Sequence, residues 1–131
     1  MTVDDGFEAL VGYDGYELVF EQGYWAKFEI RGVDEAAPGL AHAYRYSVTL
    51  HAPSGKRLLG FDNAHPIERK SGRLRRRSQG ADHWHRDASD RGRPYGFVSP
   101  AQLLEDFFRE ASRVLAELGV PTDPIDTRRA K

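Results

Sequence analysis

A chain of 131 residues with 19 Lys+Arg against 20 Asp+Glu and no cysteine has the length of one domain. It can bury roughly two thirds of its unfolded surface without covalent staples. The missing cysteines exclude disulfides, thiolate nucleophiles, iron–sulfur clusters and cysteine-ligated zinc, and a formal net charge of −1 excludes coating of nucleic acid by bulk charge. No apolar run approaches the roughly 20 residues of a membrane span. The acidic opening Met1-Thr2-Val3-Asp4-Asp5 lacks the basic-then-apolar order of a signal peptide. A cytoplasmic protein without a membrane partner is therefore expected.

Residues 1–12 are weakly patterned, and Asp14-Gly15 reads as a turn. Tyr16 to Phe20 predicts a short strand, Gln22-Gly23 a hairpin connection, and 24–33 a second strand. There Tyr24, Ala26, Phe28 and Ile30 alternate with Trp25, Lys27, Glu29 and Arg31, the period of a strand with one buried face. Trp25 falls on the polar side. Pro38-Gly39 marks a loop. A third strand follows over 42–52, with Tyr44, Tyr46, Val48 and Leu50 on one face and Arg45, Ser47, Thr49 and His51 on the other. Pro53-Ser54-Gly55 turns the chain into a fourth strand over 56–62. Short connections make these four an antiparallel meander.

Over 66–80 the pattern breaks, and Arg69-Lys70, Arg73 and Arg75-Arg76-Arg77 make one basic block. Such a loop is either a solvated charge run or a grip for phosphate. A further strand fits 82–87. The last element is the clearest. Ser99 is an N-cap, Pro100 suits the first helical position, and Gln102 fits a capping box. Leu103, Leu104, Phe107, Phe108, Ala111, Val114, Leu115 and Leu118 form one stripe at helical spacing, ended by Gly119 and Pro121. The fold expectation is α+β: an antiparallel sheet of about four to six strands with one long C-terminal amphipathic helix on one face. It forms a single domain over 1–131, with an ordered core at about 14–119 and a mobile polar tail over 120–131.

The chemistry concentrates in two clusters, Asp62-Asn63-Ala64-His65 and Asp82-His83-Trp84-His85-Arg86. On a strand, His83 and His85 share a face while Trp84 points the other way, into the core. Two imidazoles can hold opposite protonation states and act as base and acid. RNA cleavage needs that pair plus a cation on the phosphate, because the 2′-hydroxyl supplies the nucleophile. His83 and His85 are the candidate acid–base pair, with His65 as a third candidate and Asp62 or Asp82 to orient a ring. Arg45, Arg75, Arg76 and Arg86 are candidate phosphate contacts, and Tyr95 a hydrogen-bond donor. Two alternatives stay open. The same Asp/His set could ligate a metal in a hydrolase, or the basic loop and Trp25 could make a non-enzymatic nucleic-acid or protein binding module. The bland reading is that these residues build turns and strand ends, and His42 and His51 are assigned to it. No phosphate-binding glycine loop, dinucleotide fingerprint or Ser-His-Asp motif is present, and no cofactor is expected.

These residues also carry a resemblance. The order is a Gly15-Tyr16 strand, then Tyr24-Trp25-Ala26-Lys27-Phe28-Glu29 and Tyr44-Arg45-Tyr46-Ser47. Phe61-Asp62-Asn63-Ala64-His65, Asp82-His83-Trp84-His85 and a closing amphipathic helix follow. Over roughly 15–118 this resembles the TumE-like proteins, proposed toxins of bacterial type II toxin–antitoxin pairs. In that family the later histidines are commonly adjacent, whereas Trp84 separates them here. The resemblance implies a growth-inhibiting toxin neutralised by a cognate antitoxin, often a helix-turn-helix protein. A metal-independent ribonuclease activity on RNA is inferred from the histidines and by analogy with other small toxins.

Overall fold

The computed structural model describes residues 6–32, 44–63 and 82–129. In chain order these form α1 (Phe7–Gly12), β1 (Tyr16–Val19), a single 3-10 turn (Glu21–Gly23), β2 (Trp25–Gly32), β3 (Tyr44–His51) and β4 (Arg57–Asp62). Then come β5 (His83–His85), β6 (Arg93–Pro94), α2 (Pro100–Glu117) and β7 (Asp126–Arg129). All seven strands lie in one antiparallel sheet of order β6-β5-β4-β3-β2-β1-β7. The architecture is the expected α+β sheet with a long C-terminal helix.

Alternation decides which face is buried. Ala26, Phe28 and Ile30 of β2, Tyr46, Val48 and Leu50 of β3, and Leu59 and Phe61 of β4 all point to the α2 side. There they meet Leu103, Phe107, Ala111, Val114 and Leu115. Phe107 stands edge-on to both Phe28 and Phe61. Each such side chain contributes about 1.5–3 kcal/mol by leaving water, more than helix propensity supplies across the same residues. The packing of this stripe therefore holds α2 in place. Of the predicted stripe, Leu104 and Phe108 are partly buried and Leu118 is exposed.

The ends of α2 follow the sequence signals. Ser99 Oγ accepts the Gln102 amide at 3.1 Å. The Gln102 side chain turns to Asp106 instead of back to Ser99, so only half of the capping box forms. At the other end the amides of Gly119 and Val120 donate to the Ala116 and Leu115 carbonyls. This is a Schellman closure that buries Val120.

Two stretches differ from expectation. The weakly patterned N-terminus contains α1, with Leu10 fully buried in the core. The segment expected as a mobile tail carries β7, paired along the whole of β1. Its four residues are all exposed, so hydropathy gives no strand signal. Backbone pairing, Arg128 on Glu17 at 2.6 Å and Arg129 over the Tyr16 ring hold it instead. Strands β6 and β7 bring the sheet to seven, beyond the four to six expected.

Candidate active site

With α2 on one side, the opposite face of the sheet presents the polar half of each alternating strand. β4 and β5 meet there in the register Gly60 to His85, Phe61 to Trp84 and Asp62 to His83. Trp84 stacks on Phe61 on the core side, and Arg93 lies over its ring. His83 and His85 project the other way, as the alternation predicts, with ring centroids 5.3 Å apart and ring planes nearly perpendicular. His83 Nε2 lies 3.9 Å from Asp62 Oδ2.

Both imidazoles are buried, His83 to 3% and His85 to 8% exposure. The turn after β5 helps to cover them. Asp90 organises that turn: its carboxylate accepts from the Arg86 amide, the Gly92 amide and Arg93 Nε, all within 2.9 Å. Burial opposes the Asp90 charge, but these three donors outweigh it and hold the carboxyl below its ordinary value. The Asp90 carbonyl in turn lies 2.8 Å from His85 Nδ1. A carbonyl only accepts, so the proton of neutral His85 sits on Nδ1 and the lone pair on Nε2. Among the described residues nothing hydrogen-bonds that Nε2. Burial holds the His85 imidazole below the ordinary histidine value. The Asp90 carbonyl opposes that shift, and the charges of Arg57 and His83 add to it. At neutral pH the ring is an uncharged base with one open nitrogen.

Gly92 seals the arrangement. Its φ is +120°, and a Cβ there would come 3.1 Å from His85 Cε1 and 3.5 Å from His83 Cδ2. Asp90 and Gly92 were not among the sequence candidates. The signal available was Asx-turn chemistry in Asp90-Arg91-Gly92, where Asp accepts the amide two residues on.

Asp62, His83 and His85 are thus brought together. Arg45 stands near them, its Nη1 donating to the Asn63 carbonyl at 3.4 Å. Asn63 has a structural part: its Oδ1 accepts the Tyr46 amide and its own amide donates to the Tyr46 carbonyl, extending the β3–β4 ladder. Asp82 accepts from the buried Tyr46 hydroxyl at 2.6 Å. Burial first, then the Asp82 charge, pushes that phenol above its ordinary value. Tyr95 is not in the histidine cluster. Its ring stands edge-on to Phe61 and its hydroxyl donates to Asp106 of α2, on the other side of the sheet. Arg86 has an exposed side chain, and its carbonyl accepts from Arg113. His65, Arg75 and Arg76 lie outside the described residues. Among the described residues no three His, Asp or Glu side chains are grouped to hold a metal ion, and no helix is long and apolar enough to cross a membrane.

A second histidine shares the open face. His51 Nδ1 donates to the Gly55 carbonyl, its Nε2 accepts from the Thr49 hydroxyl at 2.8 Å, and Trp25 stacks on its ring at 4.2 Å.

The model of the family described as Toxin TumE matches residues 4–115, most of the chain and all of the elements that build this site. No curated protein and no solved structure matches the chain significantly.

Proposed function

The chain belongs to the TumE toxin family, the toxin component of a toxin–antitoxin module with a cognate antitoxin as partner, and from that premise we propose that it is a metal-independent ribonuclease. The observation that carries this reading is His85: neutral, hydrogen-bonded through Nδ1–H to a backbone carbonyl and, among the described residues, open at Nε2 beside a second imidazole. In the proposed reaction His85 Nε2 removes the proton of an RNA 2′-hydroxyl. The 2′-oxygen then attacks the adjacent phosphorus, and the bond from phosphorus to the 5′-oxygen breaks. His83, with the Asp62 carboxylate 3.9 Å from its Nε2, delivers a proton to that leaving oxygen. The products are a 2′,3′-cyclic phosphate and a free 5′-hydroxyl. Asp90 positions the base, and Asp62 and His65 support the pair. Arg45, Arg86, Arg75 and Arg76 hold neighbouring phosphates, each contributing a sequence-independent, salt-sensitive contact. In this reading the protein acts in the cytoplasm, and its antitoxin is a helix-turn-helix protein.

The test is cleavage of RNA by the purified protein, with and without a chelator, beside the His83→Ala/His85→Ala variant. Cleavage that survives chelation and falls by about 10²–10⁴-fold in the variant supports the reading. Cleavage and growth inhibition left intact in the variant would refute it, and loss on chelation would replace it with metal-dependent hydrolysis.

A further inference from the structure

The proposed reaction needs a cation on the phosphate beside the base, and β4 supplies one whose charge acts on His85. β3 and β4 pair as Leu50 to Leu59 but His51 to Arg57, so Leu58 is an extra residue in a β-bulge. A bulge shifts the facing of the residues that precede it. Strict alternation would point Arg57 toward the core with Leu59 and Phe61, whereas the bulge turns it to the open face. Its side chain there lies across Gly60: a Cβ on Gly60 would come 3.3 Å from Arg57 Cδ and 3.2 Å from Thr49 Cγ2. Gly60 is the residue directly opposite His85, so the absence of a side chain at 60 leaves the space that Arg57 fills beside the base.

Arg57 is also uncommitted. Among the described residues its buried Nε–H reaches no acceptor and its guanidinium makes no ion pair. Buried donors without a partner are rare in folded proteins and call for a specific cause. Arg45 on the same face is engaged with the Asn63 carbonyl, and on the helix side Arg93 and Arg113 pair with Asp90 and Glu110. A planar guanidinium kept free of carboxylates is the fitting receptor for a tetrahedral oxyanion.

We propose that Arg57 is the phosphate receptor of this site, taking a phosphodiester oxygen between its guanidinium and His85. An arriving anion gives the guanidinium a reason to rotate, and the orphaned Nε–H then gains an acceptor. The assignment of the anion as RNA rests on the ribonuclease reading; the anion site itself does not.

The experiment titrates inorganic phosphate and, separately, an uncleavable 2′-deoxy dinucleotide into the wild type, Arg57→Gln and Arg57→Lys. The His85 imidazole and Arg57 Nε–H are followed by ¹⁵N NMR, and RNA cleavage is measured on the same samples. Expected are saturable shifts of both signals in the wild type, affinity at least about tenfold weaker in Arg57→Gln, and only partial recovery in Arg57→Lys, which keeps the charge but not the fork. RNA cleavage should fall by about 10²-fold in Arg57→Gln. If the wild type cleaves no RNA yet binds phosphate through Arg57, the ribonuclease reading fails and the anion site stands. If phosphate and dinucleotide leave Arg57 Nε–H and His85 unmoved in the wild type, or if Arg57→Gln binds and cleaves like the wild type, the proposal is overturned while the ribonuclease reading survives. The wild-type NMR arm decides even if a variant does not fold.

Discussion

His51 and His85 stand on the same face of one sheet, on either side of Arg57, and burial lowers the imidazole pKa of both. They differ in where their nitrogens go. His51 gives Nδ1–H to Gly55 and Nε2 to Thr49, and its ring is stacked under Trp25. Every polar valence is spent on its own hairpin. His85 spends one nitrogen on the Asp90 carbonyl and keeps the other. A depressed pKa therefore does not separate the two histidines; the unspent nitrogen does, and it is what makes His85 the candidate base.

The largest effect that tests this contrast is on activity. His85→Ala should cut RNA cleavage by about 10²–10⁴-fold, whereas His51→Ala should leave it within about threefold and cost about 1–2 kcal/mol of stability through lost hydrogen bonds. Cleavage rates paired with urea unfolding curves decide it. Equal losses of activity would collapse the distinction.

The two glycines beside these rings sharpen the contrast. Gly55 has φ +96° and open space within 4 Å of where an alanine would put its Cβ, whereas Gly92 has φ +120° and would press that carbon onto His85. Alanine at either position strains the backbone by about 1–3 kcal/mol. Only Gly92→Ala should also slow cleavage, by about tenfold or more, because it displaces the imidazole. Circular dichroism melts should then look alike for the two variants while their cleavage rates diverge.

Proton linkage gives a smaller effect with a definite sign. A histidine whose pKa is lower in the folded state binds fewer protons there than in the unfolded chain, so stability is full above about pH 6.5. It is lost progressively as pH falls through the folded values. Both histidines contribute, so His51→Ala and His85→Ala should each lose less stability than the wild type between pH 7 and pH 5. Denaturation midpoints across that range measure it. With His85 as the proposed neutral base, the acid limb of the wild-type cleavage profile should likewise lie below pH 6.5.

What the sequence made readable here, and what it hid, follows from range. The period of two in 24–33 and 42–52 and the helical stripe with its Ser99 and Gly119 ends depend on neighbours along the chain, and the structure reproduces them. So does the opposition of Trp84 to His83 and His85. β7 was hidden because it is polar throughout and gains its order from a strand more than a hundred residues away. Arg57 was hidden for a subtler reason. One extra residue in β4 reverses its facing, and no pattern of hydropathy announces a bulge. Asp90 looked like another turn residue, because its importance lies in its backbone carbonyl, an atom every residue has.

The smallest predicted effect concerns Trp25. On a solvent-facing strand position it invites a role as a platform for bases, where an exposed aromatic would be worth about 1–3 kcal/mol per stacked base. Its ring is instead half-buried and already stacked on His51, with 12° between the planes. That contact is worth about 0.5–1.5 kcal/mol to the fold. Trp25→Leu should lower the unfolding free energy by about that amount and leave both the cleavage rate and the salt dependence of RNA binding unchanged. A binding module built on this face requires the opposite result, a stable variant whose RNA affinity drops tenfold or more. Filter binding at two salt concentrations, run beside a urea melt, separates the two outcomes. The first would leave His51 and Trp25 as a stacked pair that stiffens the quiet end of the face, with the chemistry left to His85.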